Sequence, residues 1–180
     1  LEDVAAKQAL LARIQKERAL YEQVIEDLEE TDRELAALIR RMQPAGGQTT
    51  LGGRFRGFLW PARGAFASGY GMRYHPIFRI RRMHSGVDIA APRGAPVAAA
   101  WDGTVLYTGW FGGYGKIVIL DHGDGLSTLY AHLSAILTRP GARVRKGQIV
   151  GRVGSTGFST GPHVHFEIRV NGTPVNPVGP

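Results

Sequence analysis

Six histidines are the residues best equipped for chemistry: His75, His84, His122, His132, His163 and His165. The last two frame His163-Val164-His165, in a run that continues Phe166-Glu167-Ile168. Side chains alternate across a strand, so imidazoles two residues apart project to the same side. That placement suits one metal ligand plus one partner acting at the same metal. A second element is His84-Ser-Gly-Val-Asp88, where Gly86 permits a tight bend. Asp88 stands out because only five acidic residues follow residue 42: Asp88, Asp102, Asp121, Asp124 and Glu167. Two imidazoles and a carboxylate are a common zinc set, and three protein ligands leave a fourth position for water. His132, in Leu129-Tyr-Ala-His-Leu133, supplies a further imidazole. A zinc site with spare histidines beside it is the equipment of metal-assisted hydrolysis. Spacing alone does not decide which histidines bind and which assist. His75, ahead of Pro76, reads as structural or substrate-adjacent, and His122, in a turn, as solvated.

These residues must be held by the second of two unlike segments. All 25 glycines and all 10 prolines lie at or after Pro44. Residues 1–42 carry 7 basic and 10 acidic side chains, whereas residues 43–180 carry 15 basic and 5 acidic ones. The first segment reads as one long helix. Ile14, Tyr21, Leu28, Leu35 and Met42 recur every seventh residue, and Leu10, Val24 and Leu38 partly fill a second series. That is a broken heptad seam, expected to pair as a coiled coil. A single helix cannot bury such a stripe alone. Its partner is a second copy, a helix outside this chain, or its own domain. Residues 43–57 are Gly-rich and polar and read as a flexible linker. From Phe58 on, the pattern is all-β. Runs over 97–100, 103–108, 116–121, 126–133, 148–153 and 163–170 alternate with turn signals, including His122-Gly-Asp-Gly125 and Asn171-Gly172. A compact antiparallel sandwich or barrel-like fold follows over 58–180.

Composition narrows the functional classes. The 180 residues carry a net charge of +7, with 43% hydrophobic residues and no cysteine. Disulfide scaffolds, cysteine-ligated zinc, iron–sulfur clusters and cysteine nucleophiles are excluded. With no run of 18 apolar residues there is no membrane span, so any membrane tether would lie outside this chain. The chain opens on Leu1 inside the helical pattern, with no methionine or signal peptide ahead of it. We therefore expect a mature or trimmed part of a longer protein. Arg79, Arg81 and Arg82, and Arg139, Arg143, Arg145 and Lys146, form two basic clusters suited to anionic polymers. No nucleic-acid module is recognisable, so nucleic acid is not the expected partner. Trp60, Tyr70, Trp101, Trp110, Phe111 and Tyr114 are candidates to line a substrate groove.

His84-Ser-Gly-Val-Asp88, Tyr130-Ala-His132 and Gly161-Pro-His163-Val-His165, in that order, resemble the lysostaphin/LytM-type zinc metallopeptidases of bacterial cell walls. Gly69-Tyr-Gly-Met-Arg-Tyr-His-Pro76, Asp102-Gly-Thr-Val105 and Gly154-Ser-Thr-Gly157 are similar to that family's scaffold. A long coil ahead of such a domain resembles the EnvC-type envelope proteins. The resemblance implies a mainly β fold, an antiparallel sheet with a groove over Zn2+, preceded by the N-terminal helix. It implies that His84, Asp88 and His165 bind zinc. It implies that His132 and His163 are the catalytic pair, acting on the attacking water and the developing oxyanion. A transition-state tyrosine known in some members has no clear counterpart, since Tyr74 and Phe78 only lie in the same stretch. The activity implied is hydrolysis of peptide cross-links of peptidoglycan in the bacterial cell envelope, periplasmic or extracellular, after export. The rival implied by coil-bearing relatives is a non-enzymatic activator of a cell-wall amidase. Which peptide bond is cut is left open.

Overall fold

A computed structural model describes residues 2–43, 57–75 and 81–179. Apart from Gln43 and Gly57, the expected linker lies outside the described residues, as does Phe78. Helix α1, Glu2–Met42, runs 41 residues without a Gly or Pro to break it. Arg13–Glu17 (3.1 Å) and Arg18–Glu22 (2.8 Å) pair one turn apart on its exposed surface.

Among the described residues thirteen strands follow: β1 Ala65–Ser68, β2 Gly71–Tyr74, β3 Arg81–His84, β4 Val87–Ala90, β5 Pro96–Ala98, β6 Gly103–Phe111, β7 Gly115–Asp121, β8 Leu126–Ala131, β9 Ala135–Ile136, β10 Arg143–Val144, β11 Ile149–Arg152, β12 His163–Val170 and β13 Thr173–Val175. The main sheet has the order β1-β4-β12-β8-β7-β6-β10, with β13 also on β12. β5-β11-β9 form a small sheet, and β2-β3 a separate pair. Every named pairing is antiparallel. The fold is therefore mainly antiparallel β with one long N-terminal helix, as expected. The main sheet stays open rather than closing into a barrel. The six runs read from the sequence correspond to β5–β8, β11 and β12. The others are two to four residues long, too short for a period-two pattern to register. His122–Gly125 turns β7 into β8, with Gly123, Asp124 and Gly125 all at positive φ (82°, 51° and 75°).

Alternation along the strands separates two faces. Val118, Leu120, Tyr130, Val164, Phe166 and Ile168 pack with Val97, Val150 and Val153 of the small sheet. Ile117, Ile119, Leu129 and Ala131 point the other way and pack beneath Leu35 and Ile39 of α1. The alternate residues of β12, namely His163, His165, Glu167 and Arg169, share this helix-covered face. The helix is seated closely. A Cβ on Gly112 would come 2.8 Å from the Thr31 side chain, and one on Gly172 2.7 Å from the Ala36 carbonyl oxygen. The Gln43 side-chain amide donates to Asp121 at 2.9 Å. Within the heptad seam, Leu28 and Leu35 are buried, whereas Ile14, Tyr21 and Met42 are exposed. The partner of the C-terminal half of the helix is thus its own domain.

Candidate metal centre

Three neighbouring strands converge on one point. Asp88 of β4 is the register partner of His165 on β12, and His165 lies opposite Ala131 of β8. His132 follows immediately, with φ 59°, a left-handed backbone that non-glycine residues rarely adopt. This conformation leaves the line of β8 and brings the His132 ring 4.7 Å from the His163 ring. His84 ends β3. Gly86, between His84 and Asp88, is needed for close approach more than for a bend. A Cβ there would strike the Phe166 carbonyl oxygen and come 2.8 Å from Cγ of Glu167.

The cluster is compact and buried. His84 Nε2 lies 3.2 Å from Asp88 Oδ1 and 3.0 Å from His165 Nδ1, and His165 Nδ1 lies 2.8 Å from Asp88 Oδ1. These edges approach the roughly 3.3 Å edge of a tetrahedron with arms of about 2 Å. The remaining ring nitrogens are tied elsewhere. His84 Nδ1 donates to the Gly69 carbonyl at 2.6 Å, and His165 Nε2 meets Glu167 Oε1 at 3.0 Å. Such outer contacts set the tautomer and aim the other nitrogen inward. Two inward imidazole nitrogens and one carboxylate oxygen fit a divalent metal of the zinc type. His132 and His163 stand beside this set. His132 Nδ1 donates to the Thr156 carbonyl at 2.7 Å, and His163 Nδ1 to the Gly161 carbonyl at 2.8 Å. Each therefore presents Nε2, and that of His163 is 3.7 Å from Asp88 Oδ1.

Charge is balanced around the cluster. Burial opposes the Asp88 carboxylate, but hydrogen bonds from His165 and His84 outweigh it and hold Asp88 well below the usual carboxylate range. Burial likewise opposes Glu167, but the Arg169 guanidinium, only 1% exposed and 2.5 Å away, and His165 keep it ionised. Burial would lower His165, yet the Asp88 and Glu167 contacts push it up to about 9. Burial, reinforced by the His165 and His163 charges, lowers His132 to about 3.

A groove opens over these residues. Its lining includes all five sequence candidates, His84, Asp88, His132, His163 and His165, together with His75. His122 lies outside it. Rather than being solvated, its ring bonds the Asp102 carbonyl and the Thr128 hydroxyl, each at 2.7 Å, and burial lowers its pKa. Of the aromatics proposed to line a groove, Tyr114 does so. Tyr74 is 69% exposed and not among the lining residues. Several participants carried no signal in the sequence. Arg73 lines the groove and reaches Asp88 Oδ2 at 3.2 Å. Leu28, Thr31 and Asp32 bring α1 into the groove wall. Tyr114 donates to Asp32 at 2.5 Å and lies 3.0 Å from Glu167. Burial, with Glu167 nearby, raises its phenol well above the usual range, so it remains a donor. A hydrogen-bonded chain Asp32–Tyr114–Glu167–His165 therefore joins the helix to the cluster. A Glu two residues after His165, on the same side of the strand, was the available hint.

The chain is similar to known proteins. The chain is 54% identical over 112 residues to the DD-carboxypeptidase/endopeptidase Mpg of Neisseria meningitidis serogroup B, covering 62% of this chain and 26% of that protein. It is 38% identical over 119 residues to the murein hydrolase activator EnvC of Escherichia coli K12, covering 66% of this chain and 27% of that protein. It thus spans about a quarter of the length of these relatives. Its structure is similar to that of a zinc-containing peptidase from Vibrio cholerae, with a TM-score of 0.64 at 35% identity over 69% of this chain and 40% of that one. The family model for peptidase family M23 matches residues 82–177, and on that match the chain belongs to peptidase family M23.

Proposed function

We propose that this chain is a zinc-dependent endopeptidase that hydrolyses peptide cross-links of bacterial peptidoglycan in the cell envelope. The observation that carries this reading is the inward convergence of His84 Nε2, Asp88 Oδ1 and His165 Nδ1 at 2.8–3.2 Å, beneath an open groove. His84, Asp88 and His165 would hold the ion. When bound, zinc supplies Lewis acidity toward the scissile carbonyl and the attacking water. His132 and His163 act on the reacting atoms. Nε2 of one accepts a proton from the water and then passes that proton to the leaving amine, and the other, when protonated at Nε2, donates a hydrogen bond to the developing oxyanion. The Thr156 and Gly161 carbonyls fix both rings with Nε2 toward the groove. Glu167, itself held by Arg169, keeps His165 Nδ1 pointed at the cluster. The exposed stripe of Val4, Leu10, Leu11, Ile14 and Tyr21 is where a second helix, from another copy or another protein, would pair.

One observation favours a second reading, a regulator of a separate cell-wall amidase: α1 contributes to the groove wall, and the activator EnvC is among the similar proteins. Mass spectrometry of muropeptides released from purified peptidoglycan, with and without a chelator, separates the two. Chelator-sensitive release supports the endopeptidase, and the product masses name the bond. No release, with stimulation of an added amidase, replaces that reading with the second.

A further inference from the structure

The β2–β3 wall of the groove holds two arginines that the proposed chemistry does not use. Arg73 of β2 and Arg82 of β3 are direct register partners, and both line the groove. Like charges directly opposite on paired strands oppose pairing. The two guanidiniums are answered unequally. Arg82 is engaged by α1, donating to Asp32 Oδ2 at 2.9 Å and to the Leu28 carbonyl at 3.2 Å. Among the described residues Arg73 makes one hydrogen bond, from Nη2 to Asp88 Oδ2 at 3.2 Å. Its Nε is buried and has no hydrogen-bond partner among the described residues. An arginine placed only to brace a carboxylate would grip it with two parallel N–H bonds. Arg73 does not, and a buried orphan donor calls for an explanation. Its side chain is 28% exposed toward the groove, beside the cluster where a scissile bond would lie. His75, next to it in the groove, is lowered to about 4 by burial and by the charges of Arg73 and Arg82, so the positive charge of this wall belongs to the arginines.

We propose that Arg73, with Arg82 beside it, forms a carboxylate-binding subsite that recognises a free carboxylate of the peptide substrate next to the scissile bond. The proposal rests on the endopeptidase reading for its substrate. The guanidinium fork matches a carboxylate in a way that a lysine ammonium does not. Asp32 has a part in it: by pairing with Arg82, the helix leaves Arg73 as the less satisfied cation of the two. Two sources of carboxylate flank a cross-link, the chain-terminal α-carboxylate and a side-chain carboxylate.

The test uses three synthetic cross-linked peptides: one unmodified, one amidated at the terminal carboxylate, and one amidated at the side-chain carboxylate. Binding by calorimetry and turnover are both measured for the wild type, Arg73→Gln and Arg73→Lys. We expect amidation of one carboxylate to weaken wild-type binding and raise KM by about tenfold or more, because a site built for a polar partner rejects the analogue lacking it. Which amide does so names the source. In Arg73→Gln the discrimination collapses to within a few-fold, and Arg73→Lys recovers part of it. The proposal is overturned if wild type binds all three alike, or if Arg73→Gln weakens all three equally with discrimination intact, the signature of a brace for Asp88. Selective binding without turnover of any peptide would sink the endopeptidase reading and leave the subsite standing.

Discussion

Two walls of the groove, the main sheet and helix α1, are built on different principles. One is the main sheet, where β4, β12 and β8 pair in register and place Asp88, His165 and His132 by backbone hydrogen bonding. Each of its imidazoles is fixed a second time by a carbonyl or by Glu167. The other wall is one stretch of α1, Leu28, Thr31 and Asp32, on a helix whose residues 4–23 are all exposed. It is held by Leu35 and Ile39 over the sheet, by Gln43, and by the polar contacts of Asp32. Chemistry that tolerates little misplacement sits where neighbours over-determine it. The element that sets the width of the groove sits where a few contacts decide its position.

The largest effects are expected on the sheet wall. Asp88→Ala or His165→Ala should abolish stoichiometric zinc, measured by elemental analysis, together with peptidoglycan release. A chelator should reproduce the loss in the wild type, and zinc should reverse it. His132→Ala should retain zinc while kcat falls by about 10²–10⁴. Full turnover in that variant would remove His132 from the reacting centre. The paired measurement separates residues that hold the ion from those that handle protons.

Next in size is the seating of the helix. Leu35 is fully buried against Ile117, Ile119 and Leu129, and Leu35→Ala should cost about 2–5 kcal/mol of docking energy. Trypsin should then cut faster at Arg33, Arg40 and Arg41, while the fragment carrying β4 to β12 survives. If both regions become sensitive together, the two walls are one cooperative unit.

The same contrast explains what could be read from the sequence. The five residues gathered at the centre were legible because period-two alternation puts His163 and His165 on one side of a strand, and because His84-Ser-Gly-Val-Asp88, Tyr130-Ala-His132 and Gly161-Pro-His163-Val-His165 in that order carry the family resemblance. The seating of the helix was not. A heptad count puts Ile14, Tyr21, Leu28, Leu35 and Met42 on one line, but a straight helix turns every 3.6 residues and drifts off that line. Met42 accordingly rotates outward, while Ile39 and Gln43 rotate onto the sheet. Arg73, Asp32 and the hydrogen bonding of Tyr114 were illegible for a different reason: their partners lie 15 to 82 residues away. His122 was misread as solvated because a turn position says nothing of the Asp102 carbonyl and Thr128 hydroxyl that receive it.

The smallest expected effect discriminates most finely between the walls. Asp32 binds Arg82 and accepts from Tyr114, but its side chain is 33% exposed, so the ion pair itself is worth about 1 kcal/mol or less. Asp32→Ala removes both contacts, and Asp32→Asn keeps an acceptor for Tyr114 while removing the charge. Hydrogen exchange should show faster opening over residues 24–43 in Asp32→Ala and a smaller change in Asp32→Asn. β8 and β12 should keep their protection in both, since their ladders do not pass through the helix. Altered exchange at His165 in Asp32→Ala, with none at Leu126–Ala131, would instead mean that the Asp32–Tyr114–Glu167 chain carries strain into the cluster. The position of the helix would then be felt at His165, and the two walls would be coupled by one tyrosine, Tyr114.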